Sequence, residues 1–169
     1  MSVGESSTPE SQNFEQKKMT PEQFFRQLQA QREELKRAIA RTLPVKIGNE
    51  AVNFARDNFR KEGFMDGSLK PWTPAKRKSD PKHPDRAYAT LSSRRMHLYK
   101  SIQKRTQPGV AIIYSNVPYV AAHNEGTRNA GRSHRVVFPK RQFIGPSKTL
   151  DEKARNIIDT EIKRILNIH

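Results

Sequence analysis

Residues 101–126 read SIQKRTQPGVAIIYSNVPYVAAHNEG. Val110-Ala111-Ile112-Ile113-Tyr114 is an unbroken apolar run rich in β-branched residues, the strongest strand signal in the chain. Pro108-Gly109 ahead of it is a turn signal, so the weaker strand starting at Ser101–Arg105 folds back on it as a hairpin. Beyond Asn116, Pro118 can open a short helix through YVAAHNEG, and Gly126 can end it in the left-handed region.

Toward the C-terminus, Thr127–Ser133 has the composition of a loop, and His134–Phe138 reads as a third strand stopped by Pro139. Arg141–Pro146 turns the chain. Leu150, Ala154, Ile157, Ile158, Ile162, Ile165 and Leu166 then share one face of a closing helix. Thr149 or Ser147 caps that helix, and Asp151 and Glu152 suit the positive end of its dipole.

Toward the N-terminus, Thr20-Pro21-Glu22-Gln23 has the form of a capping box with proline in the first turn. Phe24, Leu28, Leu35, Ile39 and Leu43 follow on one face, and Pro44 is expected to end or kink this helix. A second helix is predicted from about Lys46 to Lys61, with Ile47, Ala51, Phe54, Ala55 and Phe59 as its stripe and Gly63 past its end. Both stripes are read as core. Residues 64–90, with five Pro or Gly among charges, are expected to be a long irregular loop, and Ser92–Leu98 a short helix or turn. Trp72 inside that loop either pins it to the core, the favoured role, or anchors a protein interface. Residues 1–19 are polar and are expected to form a disordered tail.

The pattern predicts an α+β fold: a small antiparallel or mixed sheet of three to four strands against two N-terminal helices and one long C-terminal helix. A single domain is expected over 20–169, with long basic loops at 64–90 and 127–133. A chain of 169 residues is long enough to bury its own core. It has no cysteine, which removes disulfides, thiolate nucleophiles and Cys-based zinc sites. No apolar run reaches the length of a membrane span, and MSVGESSTPESQNFEQ lacks the features of a secretory signal. A protein made and used inside the cell is expected, with no membrane partner.

The net charge is +15. Residues 66–108 hold 11 Lys and Arg against three Asp, and residues 128–148 hold six with no carboxylate, so nearly all of the excess lies in two loop-like segments. Such a field suits an anionic partner, either nucleic acid or an acidic protein surface. The candidate contacts are Lys76, Arg77, Lys78, Arg94, Arg95, Arg128, Arg132, Arg135 and Arg141, with Trp72 beside them. No helix-turn-helix, zinc finger or RNP pattern accompanies them, so any nucleic-acid contact is expected to lack sequence preference.

The five histidines never fall at i, i+4, and HExxH, P-loop, GxGxxG and GxSxG patterns are absent. His123 and Glu125 share a short turn, but no neighbouring nucleophile or second carboxylate completes a site, so His123 is read as tying loop to sheet. No enzyme, cofactor or metal is expected.

Five segments in order resemble the phage virion morphogenesis family: FRKEGF (59–64), LKPWTP (69–74), LSSRRMHLYKSI (91–102), VAIIYSNVPYVAAHNEG (110–126) and VVFPKRQFIGPS (136–147). The resemblance spans about residues 50–166. It departs where Ser92-Ser93-Arg94-Arg95 replaces a Thr-Gly turn and where Lys140 replaces a commoner Ala. Tyr119, His123, Gly126, Pro139, Phe143 and Gly145 fall on the family's motif positions. The resemblance implies a structural subunit for tail completion or head–tail joining that assembles as a ring, usually a hexamer. Its implied partners are copies of itself, tail-tube, tail-terminator or head–neck proteins, and DNA in a channel. It implies residence in the host bacterial cytoplasm during assembly and in the virion afterwards. The competing expectation is a basic nucleic-acid-binding module without sequence specificity.

Overall fold

A computed structural model describes residues 19–130, 132 and 135–167. The expected tail therefore falls almost wholly outside the described residues, as do Gly131, Ser133 and His134 in the expected loop and third strand.

Helix α1 (Pro21–Arg37) starts on the expected capping box. Gln23 N–H donates to Thr20 Oγ1 at 3.3 Å, and Thr20 N–H donates back to Gln23 Oε1 at 3.1 Å. Pro44 does not end the helical run. Residues Ala38–Thr42 widen into a π-helical turn, and α2 (Leu43–Arg60) continues with Pro44 in its first turn. A proline at 44 has no N–H for the Ala40 carbonyl four residues back. That carbonyl accepts instead from Gly109 N–H, at 3.2 Å, in the tip of a distant hairpin.

After α2 come β1 (Gly63–Asp66) and β2 (Ser68–Pro71), a tight hairpin turning at Gly67 with φ +74°. A 3₁₀ turn at Lys76–Ser79 and further turns lead to α3 (His97–Lys100). The predicted hairpin is present as β3 (Ile102–Gln107) and β4 (Val110–Ser115), in register from Ile102↔Ser115 to Gln107↔Val110. Gly109, at φ +74°, supplies the left-handed residue of its turn. Helix α4 (Val120–Asn124), β5 (Thr127–Ala130), β6 (Val136–Phe138) and α5 (Lys148–Leu166) complete the chain.

The fold is α+β, but the expected sheet of three to four strands is instead three separate antiparallel pairs, β1–β2, β3–β4 and β5–β6. The strands are short, and Pro71 and Pro139 sit at or just beyond strand ends, where they remove donors that further pairing would need. Residues 64–90 are correspondingly less irregular than expected, and Thr127–Ala130 pairs as a strand where a loop was expected. The short helix or turn expected at Ser92–Leu98 is a turn at Arg94–Arg95 followed by a helix that begins at His97, with Leu91 and Met96 at positive φ.

The β1–β2 and β3–β4 pairs pack on α2, and β5 packs on α4. Phe59 is fully buried, with Trp72, Tyr99 and Phe143 ring centroids 5.5, 5.9 and 4.8 Å away. Val52, Ala55, Leu98, Ile102 and Val117 fill the same cluster. Burying such rings against one another is the largest apolar contribution a core of this size makes. Asn58 interrupts the α2 stripe yet is buried: its amide donates to Phe143 O at 3.3 Å and accepts from Met65 N–H at 3.1 Å. Ser147 caps α5 by accepting from Leu150 N–H, and its hydroxyl donates to Met65 O at 2.7 Å.

The α1 stripe departs from expectation. Phe24, Leu28 and Ile39 are exposed, and α1 contains no buried residue. Its C-terminal end alone meets the body, on the π-helical turn and on α5, where Arg164 pairs with Glu34 at 2.8 Å.

Candidate functional site

The basic segments separate into two populations according to what their side chains touch. Arg77 is engaged within the chain: its guanidinium donates to the carbonyls of Asp85, Ala89 and Ser92 at 3.1, 2.7 and 2.7 Å and thereby clamps the 77–92 segment. Arg141 is buried and donates to Thr73 O at 2.8 Å and Pro74 O at 3.2 Å. Burial, and then the neighbouring Arg77 charge, lower its pKa from the ordinary arginine value. Lys78 is taken up by both oxygens of Glu62, at 2.6 and 2.7 Å. Trp72 is a pin: it is buried, and its indole N–H donates to Gln142 O at 2.8 Å. These four expected contacts are structural in this fold, because each has a partner within the chain.

The other population is exposed. Lys76, Arg94, Arg95, Arg128, Arg132 and Arg135 face solvent, and none is in an ion pair among the described residues.

Between the two lies an open cleft of about 580 Å³. One wall is the Thr73–Arg77 segment, another is Leu91–Ser93 with His97 and Leu98, and the third is β6 with Pro139 and Arg141. Its lining contains Lys76, Arg77, Arg141 and three histidines, and no carboxylate. The exposed Arg94 and Arg135 each adjoin a lining residue in the chain, and Arg95 follows Arg94. The volume lies within the range of pockets that hold small ligands or inserted side chains.

The family-motif positions build this cleft from beneath. Tyr119 O–H meets His97 Nδ1 at 3.0 Å, and its ring stands edge-on to His123 at 5.8 Å. The His123 ring lies tilted by 50° against Phe138, centroids 4.9 Å apart, and its carbonyl accepts from Arg141 N–H at 2.8 Å. Burial, and then the Arg141 charge, push the His123 pKa below the ordinary histidine value, which favours the neutral ring. Its Nδ1 is buried with no partner among the described residues. Gly126 sits at φ +77°, and a Cβ there would lie 2.8 Å from Lys140 N. Gly145 is also at positive φ, and a Cβ there would collide with the Gln142 side chain. Pro139 lines the cleft, and Phe143 closes the core below it.

Sequence reading missed Asn124 and Asn58. Asn124 Oδ1 accepts from both Phe143 and Ile144 N–H groups, at 2.9 and 3.0 Å, and so shapes the RQFIG turn. Asn58 carried a readable signal, a lone amide on an apolar helical stripe. Asn124 carried none beyond its neighbours in HNEG. Glu125 does not join His123: it lines a separate shallow depression with Lys140, 4.0 Å away. Among the described residues no group of three or more His, Cys, Asp or Glu could hold a metal, and no helix is long and apolar enough to cross a membrane.

A helix-centred α+β domain with a pinned, carboxylate-free cleft and a fringe of free arginines is thus the class of protein defined here. The chain belongs to the phage virion morphogenesis family, whose model matches residues 17–163. No curated protein and no solved structure matches it. The family match begins well before the motif resemblance, at the α1 cap, so both N-terminal helices are part of the family's pattern. Membership gives the chain a structural or assembly role in making the phage particle.

Proposed function

We propose that the chain is a non-catalytic subunit that completes the tail or joins head to tail, working as a ring of like copies with a hexamer as the expected form. The observation that carries this reading is the family match across nearly every described element. The exposed Arg94, Arg95, Arg128, Arg132 and Arg135 support it as contacts for acidic neighbours, such as tail-tube, tail-terminator or head–neck proteins, or for DNA in a channel. In this role the protein works in the host cytoplasm during assembly and stays with the virion. The test is a phage lacking the chain: electron microscopy should show heads and tails that fail to mature or join, restored when the chain is supplied. Normal infectious particles in its absence end the proposal.

The free arginines also favour a second reading, a nucleic-acid-binding module without sequence preference. It expects the isolated protein to be retained on DNA at about 50 mM salt and released steeply as salt rises. No retention at that salt ends this second reading.

A further inference from the structure

The turn of the β3–β4 hairpin fixes which backbone groups of β3 are spent. Pro108-Gly109 is a two-residue loop, so Gln107 and Val110 form the hydrogen-bonded pair that closes it. Hydrogen-bonded pairs alternate along an antiparallel ladder, which makes Arg105↔Ile112 and Gln103↔Tyr114 the next two. Ile102, Lys104 and Thr106 therefore turn their N–H and C=O groups away from β4. An independent contact agrees: the Ile102 carbonyl accepts from Arg56 Nη2 of α2, at 3.4 Å. No third strand pairs with β3, and neither Lys104 nor Thr106 has a backbone partner on that edge among the described residues. A row of unpaired backbone groups on a strand edge is a template for another strand.

This edge borders a groove. Asn49, Asn53 and Arg56, at i, i+4 and i+7 on α2, form one bank and Ile102–Lys104 the other, around about 500 Å³ of open space. A helix beside a free strand edge is the shape that receives an extended peptide as an added strand. The α2 bank suits one chemically. Asn49 and Asn53 are exposed, and neither carboxamide makes a hydrogen bond among the described residues, so each offers a donor and an acceptor to a passing main chain. Arg56 has only its 3.4 Å bond to Ile102 O there, forms no ion pair there, and keeps its Nε buried without an acceptor.

The charge of the groove selects the partner. Its lining holds Arg56 and Lys104 and no carboxylate, and the neighbouring Arg105 is exposed. Glu50 and Asp57, next to lining residues on α2, are taken by Lys153 and Arg60. Lys104 Nζ is itself occupied by Val45 O at 3.1 Å, so Arg56 and Arg105 carry the free charge. The chain's own six strands contain a single carboxylate, Asp66, which Lys70 already holds, so a second copy is a poor match. We infer that the groove binds an extended, acidic segment of a different protein, added as a strand along Ile102–Thr106 with a carboxylate on Arg56. The groove shares no lining residue with the cleft, and the inference stands whether or not the chain assembles as a ring.

The test titrates the full-length chain with a capped peptide of alternating Glu and Val, matched to the six residues of β3, and follows amide resonances by NMR. A Lys–Val peptide and a short oligothymidylate are the controls. The acidic peptide should shift the Lys104 and Thr106 backbone amides and the Asn49 and Asn53 side-chain amides, with half-saturation below about 1 mM and at least about tenfold tighter binding than the Lys–Val peptide. Thr106→Pro removes an N–H that β4 does not use, so the hairpin stays closed while peptide binding weakens at least about tenfold; Thr106→Ala leaves it unchanged. Arg56→Gln, with thermal unfolding to confirm the fold, should erase most of the preference for the acidic peptide. Absence of these shifts at millimolar peptide overturns the inference, as does undiminished binding by Thr106→Pro. Shifts confined to the Thr73–Arg77 and Val136–Arg141 cleft overturn it too, and so does an equal response to oligothymidylate. Shifts of the same amides that grow with protein concentration alone would make a second copy the occupant and overturn it as well.

Discussion

Glu62 offers the most direct test of how the basic segment is held. It sits at φ +48° just past α2, accepts two hydrogen bonds from Lys78 and one from Thr90 N–H at 2.8 Å, and so ties residues 78 and 90 to the helix end. Partial burial acts to raise its pKa, but the bonds from Lys78 and Thr90 outweigh it and bring the value from 4.5 to about 2. Each pKa unit is worth about 1.4 kcal/mol, so the fall from 4.5 to about 2 sets a ceiling of about 3.5 kcal/mol. The side chain is 33% exposed, so solvent screening reduces this to about 1–2 kcal/mol. The sign follows from the depressed value: the stabilisation is fully present above pH 4.5 and is lost as pH falls toward 2. Urea unfolding of the wild type and Glu62→Gln between pH 7 and pH 2.5 measures it. The variant should be less stable by about 1–2 kcal/mol at pH 7, and the gap should close progressively below pH 4.5. Parallel curves across that range would refute the reasoning.

Asn58→Leu leaves the Phe143 carbonyl and the Met65 N–H buried without partners, and urea unfolding should show a loss of about 2–3 kcal/mol. Gly126→Ala forces a side chain onto a left-handed backbone against Lys140 N; a loss of about 1–3 kcal/mol in thermal unfolding is expected, with the cleft wall at β6 loosened in hydrogen exchange. His123 is held neutral, so its contribution is complete above about pH 6.5 and declines as pH drops toward its lowered folded value. Stability measured from pH 8 to pH 5 should fall less steeply in His123→Gln than in the wild type.

The parts of the fold that could be read from sequence are those where local chemistry and burial agree. Val110–Tyr114 forms its strand because β-branched residues follow a Pro-Gly turn, and the α2 stripe is buried where its spacing says it should be. Three features were hidden for physical reasons. Thr127–Ala130 has poor strand composition and is extended only because β6 pairs with it. The α1 stripe has helical spacing, but spacing cannot say whether a face meets its own core or another molecule. Arg77 and Arg141 look like solvated loop cations, yet each spends its donors on backbone carbonyls distant in sequence. Among the candidate contacts, the sequence therefore located the basic region but could not distinguish the arginines that build it from those left free.

The pairing of the Ala40 carbonyl with Gly109 N–H has a mechanical consequence. Proline 44 deprives the helical run of one rung, and the hairpin tip donates to the Ala40 carbonyl there, which adds to the packing of β3 and β4 on α2. A load applied to the outstretched end of α1 is then delivered, through its π-helical base, directly to β3 and β4. Pro44→Ala would let the helix close on itself, and the hairpin tip would lose this one hydrogen bond while β3 and β4 stayed packed on α2.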